Sequence, residues 1–198
     1  AAECVQKLER AGMTPASGPV LVTGATGGVG SVAVKLLAKL NYEVVAVTGK
    51  ADQHDFLRDL GAVDFMTREQ ASEGAEKPLL AERWGGVVDT VGGDILFNAV
   101  KSLRYGCSAA ACGLVAAPNF AASVLPFILR NVNLLGIDSV QLPITEKAAI
   151  WSRLATDWQM DLSDLEESLT LDSLSAAIDR ILAGQMVGRG VVDLNAEA

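Results

Sequence analysis

The chain has 198 residues, half of them hydrophobic and a fifth charged, with a formal net charge of −8. That length and apolar content suit one large domain with a sizeable core. The acidic balance argues against nucleic acid, whose phosphates need a basic face. Cys4, Cys107 and Cys112 are an odd set at wide spacing, and His54 is the one histidine. They make neither a disulfide framework nor a zinc motif, so no metal is expected. A reducing, cytoplasmic compartment is the simplest reading. No apolar run reaches membrane-spanning length, and no signal peptide is visible.

The opening "AAECVQKLERAG" has a helical amphipathic pattern and no initiator Met. A domain seldom begins mid-helix, so the chain is expected to be a piece of a longer protein. After the turn chemistry of "GMTPASG" come an apolar strand at 19–23 and a helix from Ser31 to Leu40. "EVVAVT" (43–48) is a β-branched run, as expected of a strand buried on both faces. Asp52 caps a helix that Gly61 stops, and "AVDFM" is the next strand. Residues 68–82 read as a polar loop with one helical turn. "GGVVDTVGG" (85–93) is a strand ending in a glycine turn, followed by a helix from Ile95 to Leu103. Strands follow at 106–113 and 132–140, with a short helix near "LPFILRN" between them. Helices from Thr145 to Asp157 and Leu174 to Ala183 precede a closing strand at 190–194. The alternation predicts an α/β fold, a Rossmann-type doubly wound parallel sheet with helices on both faces.

"GATGGVG" (24–30) lies between the first sheet strand and a helix. Glycines there remove side chains, so that backbone N–H groups and the positive end of the helix dipole can face a pyrophosphate. The best register of the dinucleotide fingerprint is Ala25-x-Gly27-x-x-Gly30, with Ala in place of the first Gly. An NAD site wants an acid at the end of the next strand, to accept from the ribose 2′-OH. Here that strand ends Thr48-Gly49-Lys50. Hydroxyl, amide and ammonium donors suit a 2′-phosphate, which predicts NADPH. His54 reads as an exposed helix residue.

Three families share such a loop. "TGATGGVG" fits the short-chain dehydrogenases, but those need a Tyr-x-x-x-Lys pair, and Ala46 and Ala109 stand four residues after Tyr42 and Tyr105. The loop also fits the GATGxxG of non-catalytic NADP(H)-sensing domains. A longer set, "LVTGATGGVG", "VVAVTGK", "FLRDLGA" and "VVDTVGG", resembles the medium-chain dehydrogenase/reductase superfamily, and within it the zinc-free quinone oxidoreductase branch. "ACGLVAAPNF", "LPFILRNVNLLGIDSV" and "ILAGQMVGRGVVDL" are similar to the acrylyl-CoA reductase subfamily. The resemblance runs from about Ala1 to Leu194.

That resemblance implies an NADPH-dependent transfer of hydride to an unsaturated acyl thioester or quinone-like acceptor. It implies a GroES-like barrel before residue 1, with 1–17 as a linking segment, 18–160 as the cofactor domain and 161–198 returning to the barrel. The closing strand would then lack its partner. Thr26, Gly27, Gly28 and Val29 would take the pyrophosphate. Thr48, Gly49 and Lys50 would take the 2′-phosphate, and Val91 would approach the ribose. Cys112, Gly113, Leu114, Ile137 and Asp138 would lie near the nicotinamide. No catalytic acid is assigned. Asp138 reads as structural, pairing with Arg130, and Asp89 as bonded to backbone at its turn. Cys112 reads as a small buried strand residue. Trp84, Trp151 and Trp158 read as packing, and Glu166 and Glu167 as a solvated face. The apolar edge strand 132–140 predicts a homodimer.

Overall fold

A computed structural model describes residues 1–194. Helix α1 (Ala2–Arg10) leads into strand β1 (Val20–Thr23), helix α2 (Gly30–Lys39), β2 (Val44–Val47), α3 (His54–Asp59) and β3 (Ala62–Met66). Then come α4 (Arg68–Ser72), β4 (Gly86–Asp89), α5 (Gly93–Lys101), β5 (Ser108–Ala111), α6 (Leu125–Arg130) and β6 (Asn133–Gly136). The chain continues through α7 (Ile144–Leu154), β7 (Glu166–Leu169), α8 (Leu174–Leu182) and β8 (Arg189–Val192). Six strands pair in parallel in the order β3-β2-β1-β4-β5-β6. This is the doubly wound sheet that the alternating pattern predicts.

The period of two along each strand splits the core into two layers. Val20, Val22, Val44, Ala46, Val88 and Ala110 face Cys4, Val5 and Leu8 of α1, Leu36 and Leu37 of α2, and Trp158. Leu21, Val45, Val47, Val87 and Ala109 face Leu96, Phe97 and Val100 of α5 on the other side. Both faces are therefore covered, which is why these strands are apolar throughout rather than alternating.

Four expectations need correcting. The closing strand does have a partner: β8 pairs in parallel with β7, Glu166 to Arg189 through Leu169 to Val192. Glu166 and Glu167 thus lie in a strand whose exposed side chains hide its ladder. The strand expected over 132–140 ends at Gly136, because the Asp138 carboxylate accepts from the amides of Val140 (2.9 Å) and Gln141 (3.2 Å) and turns the chain. Arg130 does not pair with Asp138. Its Nε lies 3.4 Å from Glu82, and its other nitrogens donate to the carbonyls of Lys101 and Leu80. Trp151 is not a packing residue, being 70% exposed, whereas Trp84 and Trp158 are buried.

Candidate functional site

The sheet order reverses at β1 and β4. From β1 the chain crosses to β2, and from β4 it crosses to β5 on the other side. The loops leaving these two strands diverge and open a crevice at their C-terminal ends, where open α/β sheets bind ligands.

The glycine loop forms one wall. Gly24 sits at φ +59°, and the Gly27 amide donates back to its carbonyl at 3.0 Å. Gly30 is where the turn requires glycine, since a Cβ there would lie 2.2 Å from the Gly24 oxygen. Helix α2 then starts with no side-chain cap. Among the described residues, no acceptor faces the amides of Thr26, Gly28 and Val29. Uncapped donors at a ten-residue helix N-terminus are the equipment for holding an anion.

The turn after β4 forms the opposite wall. Asp89 is fully buried and accepts from Thr23 Oγ1 (2.7 Å) and the Gly92 amide (2.8 Å). Burial pushes its carboxyl up, against those hydrogen bonds. Thr90 completes the tie: its amide donates to Thr23 Oγ1 at 3.0 Å and its hydroxyl to the Thr23 carbonyl at 2.8 Å. Asp89 thus bonds to backbone as expected and also locks the ends of β1 and β4 together.

At the end of β2, Thr48 Oγ1 accepts from the Lys50 amide at 3.0 Å and lies 3.5 Å from Thr26 Oγ1. Lys50 Nζ donates to the Met186 carbonyl at 2.6 Å. Burial, followed by the Arg68 charge, holds this ammonium below its usual range. Arg68, at the start of α4, lies over Gly49, where a Cβ would meet Nε at 2.8 Å. The segment before β8 crosses the glycine loop. The Gly188 amide donates to the Thr26 carbonyl, and Arg189 Nη2 donates to the Gly28 carbonyl, both at 2.9 Å.

These parts enclose a cleft of about 450 Å³ lined by Thr26, Gly27, Gly28, Lys50, Arg68, Val91 and Arg189, among others. A smaller one of about 140 Å³ beside it takes in Thr48, Gly49, Arg68 and Val91. A third, about 550 Å³, lies past β4 and β5 and is lined by Cys112, Gly113, Leu114 and Ile137 with Gly92 and Phe120. Val29 and Asp138 line none of the three. His54 stacks on Phe65, with ring centroids 4.5 Å apart, outside all of them. Cys112 is half-buried at the third cleft rather than hidden in a strand. Sequence reasoning missed Arg68, Met186 and Arg189. The signal for Arg68 was available: Thr67 and Gln70 form a capping box that starts α4 and fixes the residue between them.

The profile of the zinc-binding dehydrogenase family matches residues 28–156. The chain belongs to that family. Acrylyl-CoA reductase AcuI of Ruegeria pomeroyi is 48% identical over 193 residues, 97% of this chain and 58% of that protein. The yhdH oxidoreductase from Salmonella enterica, solved in complex with NADP, superposes with a TM-score of 0.93 at 40% identity, over 98% of this chain and 60% of its own. Protein yhfP of Bacillus subtilis, solved with NAD bound, gives 0.93 at 42% identity over 98% and 59%. The chain therefore spans about three fifths of the length of these relatives. The zinc-binding dehydrogenase name implies a metal. Among the described residues, no group of three or more His, Cys, Asp or Glu is placed to hold one. No helix in them is long and apolar enough to cross a membrane.

Proposed function

We propose that this chain is the NADPH-binding part of an oxidoreductase that delivers hydride to an activated double bond, in an unsaturated acyl thioester or a quinone-like acceptor. The observation that carries the reading is the meeting of an uncapped glycine loop with Lys50 and Arg68 in one cleft at the sheet's reversal point. The family match and the AcuI likeness support it over the sensor alternative. When bound, NADPH supplies the hydride from its nicotinamide ring. The residues of this chain bind and orient. The amides of Thr26, Gly28 and Val29 take the pyrophosphate, and the Arg189 guanidinium beside Gly28 offsets its charge. Thr48, the Gly49 amide, Lys50 and Arg68 take the 2′-phosphate, and Val91 approaches the ribose. Backbone at 112–114 and Ile137 holds the nicotinamide carboxamide. The backbone at Asp138 continues that hold, while its carboxylate accepts from the turn amides of Val140 and Gln141. No proton donor is assigned, and the described residues offer no cluster to hold a metal. The protein works in the cytoplasm.

Calorimetric titration with NADPH and NADH tests the reading. NADPH is expected to bind at least about tenfold more tightly, a preference of about 1.4 kcal/mol from the 2′-phosphate contacts. Lys50→Ala is expected to narrow the gap. Equal affinity for both cofactors would sink the NADPH assignment.

The outer edge of β6 carries exposed Asn133 and Gly136 beside half-buried Leu134 and Leu135. An unpaired edge of this kind is covered or paired in a stable protein. We propose that a second copy pairs there, extending the sheet across a homodimer. Sedimentation velocity at tens of micromolar is expected to give a dimer that Leu135→Lys dissociates, whereas a wild-type monomer would refute it.

A further inference from the structure

The segment between α8 and β8 lies across the glycine loop like a strap, and three hydrogen bonds tie it down. Lys50 Nζ donates to the Met186 carbonyl at 2.6 Å, the Gly188 amide to the Thr26 carbonyl at 2.9 Å, and Arg189 Nη2 to the Gly28 carbonyl at 2.9 Å. The approach is close: a Cβ at Gly28 would lie 3.3 Å from the Gly188 carbonyl oxygen. The glycine loop gives only carbonyls to the strap, so its free amides stay open to an anion.

The two ends of the strap differ. Beyond Gly188 the chain is fixed, because β8 pairs with β7 and a Cβ at Gly188 would lie 2.3 Å from the Leu165 carbonyl oxygen. Gly184, just past α8, has φ +68° and Gly188 has φ +64°, conformations that glycine adopts at little cost. Between these two glycines, among the described residues, Lys50 is the one side chain that hydrogen-bonds to the backbone. The middle of the strap is therefore held to the body of the domain by a single ammonium.

On the NADPH reading above, we propose that Lys50 is the latch of this strap and that a 2′-phosphate releases it. One ammonium faces two rival acceptors. The Met186 carbonyl is neutral, whereas a phosphate adds the attraction of an opposite charge. Burial disfavours the charge on Lys50, and the neighbouring Arg68 charge disfavours it further. A phosphate arriving beside both cations offsets their repulsion, which a carbonyl cannot do. The rivals are within one side chain's reach: Lys50, Arg68 and Met186 line the larger cleft, and Arg68 also lines the smaller one with Thr48 and Gly49. NADH carries a 2′-hydroxyl in place of the phosphate and leaves the latch shut. The strap thus couples the identity of the cofactor to the backbone of the glycine loop.

The test is amide hydrogen exchange resolved by residue with NMR, using adenosine 2′,5′-bisphosphate as the probe and adenosine 5′-monophosphate as its control. Calorimetry follows binding of both. The reporter is the Gly188 amide, bonded to Thr26. The bisphosphate is expected to speed its exchange at least about tenfold, the size of one charged hydrogen bond, and the monophosphate to leave it within about twofold. Lys50→Met is expected to show the fast rate with no ligand and to gain nothing when the bisphosphate is added. Lys50→Arg keeps a donor and is expected to retain the slow rate. The Ile137 amide, bonded to Ala111, is the reference and is expected not to change. A bisphosphate that binds yet leaves Gly188 exchange unchanged or slower would overturn the latch and leave the NADPH reading standing. So would a Lys50→Met protein that exchanges at the wild-type rate, or a rise shared by Ile137, which would mean global loosening. A bisphosphate that does not bind would sink the NADPH reading and the release with it.

Discussion

Gly113→Ala is expected to destabilise the protein by about 3 kcal/mol, the upper end of what forcing atoms into a packed core usually costs. A Cβ at Gly113 would lie 1.9 Å from the Thr90 carbonyl oxygen, 2.4 Å from its carbon and 2.7 Å from its Cα. All three are backbone atoms, so no rotamer change makes room. Nor can Thr90 retreat cheaply, because its amide and hydroxyl are both bonded to Thr23. Thr23 in turn donates to buried Asp89, which holds the Gly92 amide. The methyl group must therefore push against a tied knot joining β1, β4 and the turn between the clefts. Gly136→Ala is the control, since a Cβ there meets nothing within 4 Å. It is expected to change stability by less than about 0.5 kcal/mol. Urea unfolding of the two variants measures both numbers. A loss below about 1 kcal/mol for Gly113→Ala would mean that the Thr23–Asp89–Thr90 network is soft. NADPH affinity should fall further than stability does, because Gly113 and Val91 flank the same turn.

How much of this was legible in the sequence depends on whether the signal was local. The strands β1, β2 and β4 were plain because burial on both faces leaves no polar position to confuse their pattern. The glycine loop was plain because its spacing reflects a turn made within seven residues. The edge of the fold was less so. β7 reads "EESL", with three exposed side chains, and only its pairing with β8 reveals it as a strand. The site residues divide in the same way. Thr26, Gly27, Gly28, Thr48, Gly49 and Lys50 sit at strand ends that the βαβ order fixes, and they line the first two clefts. Arg189 reaches Gly28 from 161 residues away, and no local pattern encodes that approach. The Asp138 carboxylate shows the same limit: an acid at a strand end is able to satisfy its own turn, and here it accepts from the Val140 and Gln141 amides, which spacing alone does not reveal.

Arg68→Ala is expected to weaken NADPH by more than Lys50→Ala does, although Lys50 lies in the motif that points to the 2′-phosphate. The reason is what each cation must give up. Lys50 Nζ is already held by the Met186 carbonyl at 2.6 Å, in partly buried surroundings that disfavour its charge. Turning to a phosphate costs it that bond. Arg68 is exposed at the start of α4 and stands over Gly49. The ion pairs among the described residues engage Arg10, Lys35, Arg58, Arg130, Arg153 and Arg180, but not Arg68. Its planar fork suits bidentate contact with a phosphate, and nothing has to be broken first. Losing such a charged contact costs about 1.5–3 kcal/mol, roughly a 10- to 150-fold rise in the NADPH dissociation constant. NADH has no 2′-phosphate, so its affinity is expected to stay within about twofold, and stability within about 0.5 kcal/mol. Calorimetry at two salt concentrations reads all of this, since the wild-type preference for NADPH should shrink more as salt rises than the variant's, which keeps only the Lys50 charge. A variant that loses NADPH and NADH equally would place Arg68 on the pyrophosphate instead. One that loses neither would leave Lys50 as the reader, with the Met186 bond broken on binding and the segment before β8 moved off the glycine loop.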